Sequence, residues 1–293
     1  MYINLLLSLI NMIVQKSILK EVYKRRDPGA HKYDYGALLV IGGSEKYHGS
    51  PAFNALAGLA AYRTGVDIVE VAAPKRAADI IATFSPDLIT IPLEGDFLST
   101  DHLDRILSEC ENKKAVVVGG GIGKESETQK FVLSLLESLN LPCVIDADAI
   151  YAVARDREVL KPNHVITPHA YEFRALTGIE LDGLTFNQKV KAVRDAAKQL
   201  NNCVIVLKGK EDIISNGKHT AVNKTGNKYM TVGGTGDTLA GICGSLLAQG
   251  AAPFKAACAA AYINGRAGDL IAKKKKQSLL ASDLINAIPK VIG

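Results

Sequence analysis

Cysteines are few, and their spacing forms no framework. Cys110, Cys143, Cys203, Cys243 and Cys258 lie far apart, mostly in apolar stretches, and none has the C-x-x-C spacing of a zinc or redox site. This odd set excludes a disulfide scaffold and predicts buried, inert thiols in a reducing, cytoplasmic setting. Long apolar runs are missing too. The apolar N-terminal stretch, Met1 to Val14, is too short to span a bilayer. It lacks a basic leader and a small-residue cleavage site, so neither a membrane partner nor a secretory signal is expected. Basic residues are not interleaved with aromatics on a defined element. The net charge is +5, yet Lys273-Lys274-Lys275-Lys276 form a single run that reads as a solvated loop. No nucleic-acid partner is expected.

No composition break or repeat marks a second globular domain. Asn4, Ser8, Asn11 and Gln15 recur at helical spacing in the N-terminal stretch. They predict an amphipathic helix docked on the body or on another subunit, with residues 1–30 forming this helix and its lead-in. Residues 31–293 read as one domain. With 47% hydrophobic and 22% charged residues, the chain is ordinary for a globular protein with a large core.

Short, continuous apolar runs alternate with helical stretches. Ala37–Ile41, Ile68–Ala72, Ala115–Val118, Cys143–Ile145, Val165–Ile166 and Val204–Leu207 read as strands buried on both faces. Helices are predicted over 52–62, 128–139, 171–176 and 187–200. The fold class that follows is α/β, a three-layer α/β/α domain around a mostly parallel sheet.

Each polar cluster follows the end of a predicted strand, the edge where open α/β sheets bind ligands. The run Thr231-Val232-Gly233-Gly234-Thr235-Gly236-Asp237 leads into an apolar helix beginning near Gly236. Glycines let such a loop fold back, and the amides of Gly234, Thr235 and Gly236 at a helix start suit a phosphate oxygen. Asp237 beside them is a candidate base, although Asp also serves as an ordinary N-cap. Ser50-Pro51 caps another helix after Gly42-Gly43. Gly119-Gly120-Gly121-Ile122-Gly123 has too many glycines for a turn alone, and no Walker A Gly-Lys-Ser/Thr follows it. Of Asp146 and Asp148, extended alternation would turn only one carboxylate into the cleft. His169 and Glu172 fall at a strand exit and in a first helical turn. Lys208-Gly209-Lys210-Glu211-Asp212 is either a charged hairpin tip or a set of phosphate and adenine contacts.

In this order, GGSEKYHGSP, VVVGGGIGK, VIDADAI, ITPHAYEF, VLKGKEDI and TVGGTGDTLAGICGSLLAQG resemble the ADP/ATP-dependent NAD(P)H-hydrate dehydratase family from about Lys32 to Asp269. The resemblance implies a ribokinase-like fold and repair of hydrated NADH or NADPH. It implies that an adenine nucleotide, ADP or ATP, phosphorylates the hydrate hydroxyl with Mg²⁺ present, and that phosphate then leaves. It places Ser50, Gly123, His169 and Asp237 at the hydrated dinucleotide, with Asp237 catalytic. Lys208, Gly209, Lys210, Glu211, Asp212 and Gly236 fall at the nucleotide, and Glu172 is an indirect metal ligand. Ser50 stands where Ala is usual, and Glu211-Asp212 are more acidic than is common there. The family habit implies a homo-oligomer such as a tetramer. Only about 30 residues precede the match, so the dehydratase without a fused epimerase domain is expected. Two other readings share these motifs: a ribokinase-like kinase of a vitamin precursor or alcohol, and a non-catalytic nucleotide sensor.

Overall fold

The computed structural model describes residues 10–45 and 50–293, without the side chains of Ser50 and Pro51. In chain order the elements are β1 (Met12–Ile13), α1 (Leu19–Val22), β2 (Ala37–Ile41), α2 (Ser50–Thr64), β3 (Ile68–Pro74), α3 (Lys75–Ala82) and β4 (Ile89–Leu93). Next come α4 (Leu103–Cys110), β5 (Ala115–Val118), α5 (Ser126–Ser138), β6 (Cys143–Ile145), α6 (Asp148–Val153), β7 (His164–Ile166), α7 (Ala170–Thr177) and α8 (Phe186–Gln199). Finally β8 (Val204–Leu207), β9 (Asp212–Ser215) and β10 (Thr220–Asn223) precede α9 (Thr235–Ala248), α10 (Pro253–Lys275) and α11 (Ala281–Ile292).

One ten-stranded sheet runs in the order β1-β10-β9-β8-β7-β6-β5-β2-β3-β4. Its pairs are parallel except β8–β9 and β9–β10. Alternate residues of each strand enter different cores, as a period of two requires. Leu38, Val40 and Val117 face the layer of α2, α9, α10 and α11. Leu39, Ile41, Val116 and Val118 face the layer of α5 to α8. The three-layer α/β/α prediction holds. The chain runs from β2 outward to β3 and β4, then returns to the other side of β2 with β5. That reversal opens a crevice between the loops after β2 and β5.

Small residues seat α9 over this crevice. A Cβ at Gly241 would run into the Ala57 carbonyl of α2, and one at Gly244 would strike Val117 and Leu38. The N-terminal prediction needs correction. Residues 1–9 lie outside the described residues, but Met12–Ile13 is a strand, paired in parallel with Ala221 and Val222. Asn11 N donates to Thr220 O at 2.8 Å and Val14 N to Val222 O at 2.9 Å. An open β10 edge offers a row of ladder partners, and the backbone of residues 11–14 takes them in place of a helical turn.

Candidate functional site

The loops after β2 and β5 are stitched together at the switch point. Gly43 N donates to Gly120 O at 2.8 Å, Ser44 Oγ donates to Gly121 O at 2.9 Å, and Asn54 Nδ2 donates to Gly120 O at 3.0 Å. Asp237 overlooks this seam. A Cβ built on Gly120 would lie 3.2 Å from Asp237 Oδ1, so the glycine leaves the carboxylate its space.

Gly234, in the left-handed region at φ +92°, is the N-cap of α9. Thr235 Oγ1 donates to Met230 O at 2.9 Å and to Val232 O at 3.1 Å, tying the turn to the chain before it. From α10, Asn264 Nδ2 donates to Thr235 O at 3.1 Å and Asn264 Oδ1 accepts from Thr238 Oγ1 at 2.8 Å. The first amides of a helix have no intrahelical partner, and this bracing holds in place the turn that carries the Thr235 and Gly236 N–H groups.

Lys208 closes the other side. Its Nζ lies 3.0 Å from Asp146 Oδ1 and 3.7 Å from Glu172 Oε2, and Thr167 Oγ1 donates to Asp146 Oδ1 at 2.6 Å. A Cβ on Gly236 would sit 3.5 Å from Lys208 Nζ and 3.9 Å from Asp146 Oδ2. Asp146 and Glu172 therefore share one ammonium beside the start of α9, and the charge of Asp237 also favours it. Burial, and then the negative charge of Asp146, push the Asp237 carboxyl up to about 7. Burial raises Glu172 as well. Burial also opposes the charge on Lys208, but Asp146 and Glu172 outweigh it and hold the ammonium above its ordinary range.

His169 is the N-cap of α7 and forms a capping box with Glu172. Its Nδ1 accepts from Glu172 N at 3.2 Å, and its N–H donates to Glu172 Oε2 at 2.8 Å. Burial, then Lys208, lower the imidazole below its usual range and favour the neutral ring. Across the cleft, Gly123 N donates to Asp148 Oδ2 at 3.1 Å.

Asp146 and Asp148 therefore serve neighbouring parts of one wall, and the predicted alternation does not apply. The strand ends at Ile145, and Ala147 takes a positive φ of 49°, which resets the direction of the chain. Lys208, Gly209, Lys210 and Glu211 line a cleft of about 380 Å³, with Leu181, Phe186, Leu207 and Ile213 as its apolar walls. Asp212 instead holds the turn, accepting from Gly209 N at 3.1 Å and Asn223 Nδ2 at 3.0 Å. The Ser50 side chain lies outside the described residues. Sequence reasoning missed Asn54 and Asn264. Each is a lone amide in a helix of small apolar residues, and that contrast is the signal that could have found them.

Residues 38–290 match the family model described as NAD(P)H-hydrate dehydratase. The chain belongs to the NAD(P)H-hydrate dehydratase family. Among relatives of the family, the ADP-dependent (S)-NAD(P)H-hydrate dehydratase of Nitrosopumilus maritimus is 34% identical over 94% of this chain and 95% of its own. The bifunctional NAD(P)H-hydrate repair enzyme Nnr of Pyrobaculum aerophilum is 44% identical over 91% of this chain. The chain spans about half the length of such bifunctional relatives, 52% in that case. Among solved structures, the ADP/ATP-dependent NAD(P)H-hydrate dehydratase of Bacillus subtilis, co-crystallised with ATP and Mg²⁺, superimposes with a TM-score of 0.78. It is 26% identical, and the match covers 95% of this chain and 96% of that one. The fold is the ribokinase-like one of this family. No helix among the described residues is long and apolar enough to cross a membrane.

Proposed function

We propose that this chain dehydrates hydrated NADH and NADPH, using ADP or ATP as phosphoryl donor. The observation that carries this reading is the placement of Asp237. One carboxylate faces the switch-point seam in the first turn of α9, and the Lys208 ammonium lies beside the same turn, 3.5 Å from a Cβ built on Gly236. Hydroxide is a poor leaving group, whereas a phosphate ester leaves readily. Asp237 accepts the hydroxyl proton as the hydroxyl oxygen bonds to the terminal phosphorus and the bond to the departing nucleotide breaks. The two amides and Lys208 take up the charge on the transferring phosphoryl group. The ring carbon–oxygen bond then breaks, phosphate departs and a ring proton is lost, restoring the dihydropyridine.

Ser50, Gly123 and His169 would hold the hydrated coenzyme. Lys208 to Asp212 and the start of α9 would hold the adenine nucleotide, with the base in the apolar cleft of Leu181 and Phe186. Among the described residues no group of three or more His, Cys, Asp or Glu is placed to hold a metal. The carboxylates of Asp146 and Glu172 are hard oxygen donors of the right kind for Mg²⁺, but Lys208 stands within 4 Å of both. This donor set fits an ion held mainly by phosphate oxygens and water, with Glu172 reaching it indirectly. Bound there, Mg²⁺ would supply charge neutralisation between phosphates. A cytoplasmic homo-oligomer completes the reading.

Hydrated NADH mixed with ADP or ATP, followed by absorbance of regenerated NADH, tests it. Recovery that depends on nucleotide is expected. Nucleotide turnover seen only with a vitamin precursor or another alcohol would make the chain a kinase, and binding without turnover a sensor.

A further inference from the structure

Lys124 follows the last glycine of the loop after β5, and its side chain is held in an unusual way for a surface lysine. Its Nζ lies 3.5 Å from the centroid of the Tyr151 ring on α6, and 4.0 Å from Asp148 Oδ1. The second oxygen of that carboxylate accepts from Gly123 N at 3.1 Å. One carboxylate thus fixes the loop backbone and faces the ammonium, and the ring face carries the charge. We propose that Lys124, positioned by Tyr151 and Asp148, is a phosphate-reading residue for the hydrated coenzyme. This inference rests on the dehydratase reading above.

Three observations carry it. First, the ammonium keeps donors to offer. A lysine has three N–H bonds, 4.0 Å is too long for a hydrogen bond to Asp148, and no hydrogen bond leaves Nζ among the described residues. The side chain remains 48% exposed even though its head rests on the Tyr151 ring. Ordering beforehand lowers the entropy lost on binding.

Second, the loop has a direction. It starts at Gly120 beside Asp237, where the hydrated ring must lie, and ends at Gly123-Lys124. Lys124 is also near enough to His169 to help keep that imidazole neutral. A dinucleotide with its reacting ring at Asp237 and running along this wall brings its pyrophosphate towards Lys124.

Third, the adenine nucleotide already has cations of its own. Lys189, Lys208 and Lys210 line the cleft walled by Leu181 and Phe186. Two phosphate-bearing ligands in one site require two sets of positive charge, and among the described residues Lys124 supplies one beside Gly123 and Asp148. Phosphate is the chemistry shared by both ligands, so the experiment separates them.

Steady-state kinetics of Lys124→Ala should show KM for hydrated NADH raised about tenfold with kcat changed less than about twofold, a loss of uniform binding. KM for the adenine nucleotide should stay within about twofold. Lys124→Arg should restore most of the coenzyme affinity. Tyr151→Leu should raise the same KM by a smaller factor, and Tyr151→Phe, which keeps the ring, should not. The wild-type KM for the coenzyme should also rise with salt more steeply than that of Lys124→Ala.

The deciding quantity is the ratio of the two KM changes. A coenzyme change at least about fivefold larger than the nucleotide change supports the proposal, and any smaller ratio overturns it. If the wild type recovers NADH and this ratio is small, only the role of Lys124 falls. If the wild type recovers none, the dehydratase reading falls and takes this inference with it.

Discussion

Asp237 is a carboxyl whose surroundings oppose its ionisation, yet a base must be ionised to act. With its pKa up at about 7, log kcat/KM of the free enzyme should rise with unit slope on the acid side of pH 7 and level off above it. An acid limb centred below pH 5 would mean that another group is the base. Asp237→Asn keeps the shape and removes the base, so turnover should fall by at least about 10²-fold while nucleotide affinity changes little. The same variant should gain stability, in a window that follows from linkage. The folded carboxyl holds its proton up to about pH 7, whereas the unfolded one releases it near 3.8. Wild-type stability is therefore lost as pH rises across that interval, and the Asn variant escapes the loss. Melting curves should nearly coincide at pH 4 and separate, with the variant higher, above pH 7. Asp237 was legible in the sequence because glycines announce the loop before it. The cause of its shift was not. Asp146, Glu172 and Lys208 lie 91, 65 and 29 residues away in sequence, and only the order of β6, β7 and β8 brings them together.

The start of α9 shows two glycines doing different work within three residues. Gly234 has φ +92°, and a Cβ there would lie 2.8 Å from Leu56 and 2.9 Å from Ala281. Gly234→Ala should therefore lower stability by more than about 1 kcal/mol, since alanine is strained at positive φ. Gly236 has no such constraint. Its nearest neighbours would be Lys208 Nζ at 3.5 Å and Asp146 Oδ2 at 3.9 Å, ordinary contacts. Gly236→Ala should leave stability equal or higher by up to about 1 kcal/mol, because Ala favours a helix. Its added methyl would still occupy the space a phosphate needs, and loss of one such donor typically costs about 10²–10³ in rate. Thermal melts and kcat measured on both variants check the contrast. A stable, fully active Gly236→Ala would reduce the loop to a turn. At this scale most of the fold was legible. Short runs rich in β-branched residues and ended by glycine, such as Leu38 to Ile41, or by Lys208-Gly209, as in Val204 to Leu207, read as central strands. The strands that escaped notice have weaker signals. β4 carries Pro92 and exposed Ile89 at an edge, and β9 and β10 are four-residue segments interrupted by polar Ser215, Thr220 and Asn223.

The whole molecule places its chemistry where the strand order reverses, and it closes the far edge of the sheet with its own N-terminal segment. β1 covers β10, Thr220 N donates to Asn11 Oδ1 at 2.7 Å, and Lys255 pairs with Glu21 at 2.6 Å. Val14, Ile18, Leu19 and Val22 belong to the same core as α9 and α10. This segment is thus part of the domain, although its helical spacing made it look like an appendage. Edge pairing and burial are non-local, so periodicity within the segment could not reveal them. Ile18, only 1% exposed, is the place to measure what it contributes. Ile18→Ala should cost about 2–5 kcal/mol, the usual range for a large aliphatic cut down in a filled core. It should lower the melting temperature by several degrees. Asp237 overlooks the switch point between β5 and β2, five and six strands away from β10 in the sheet. Turnover per folded molecule at moderate temperature should therefore match the wild type. A loss of kcat without a fall in stability would show that the N-terminal segment acts on the site itself.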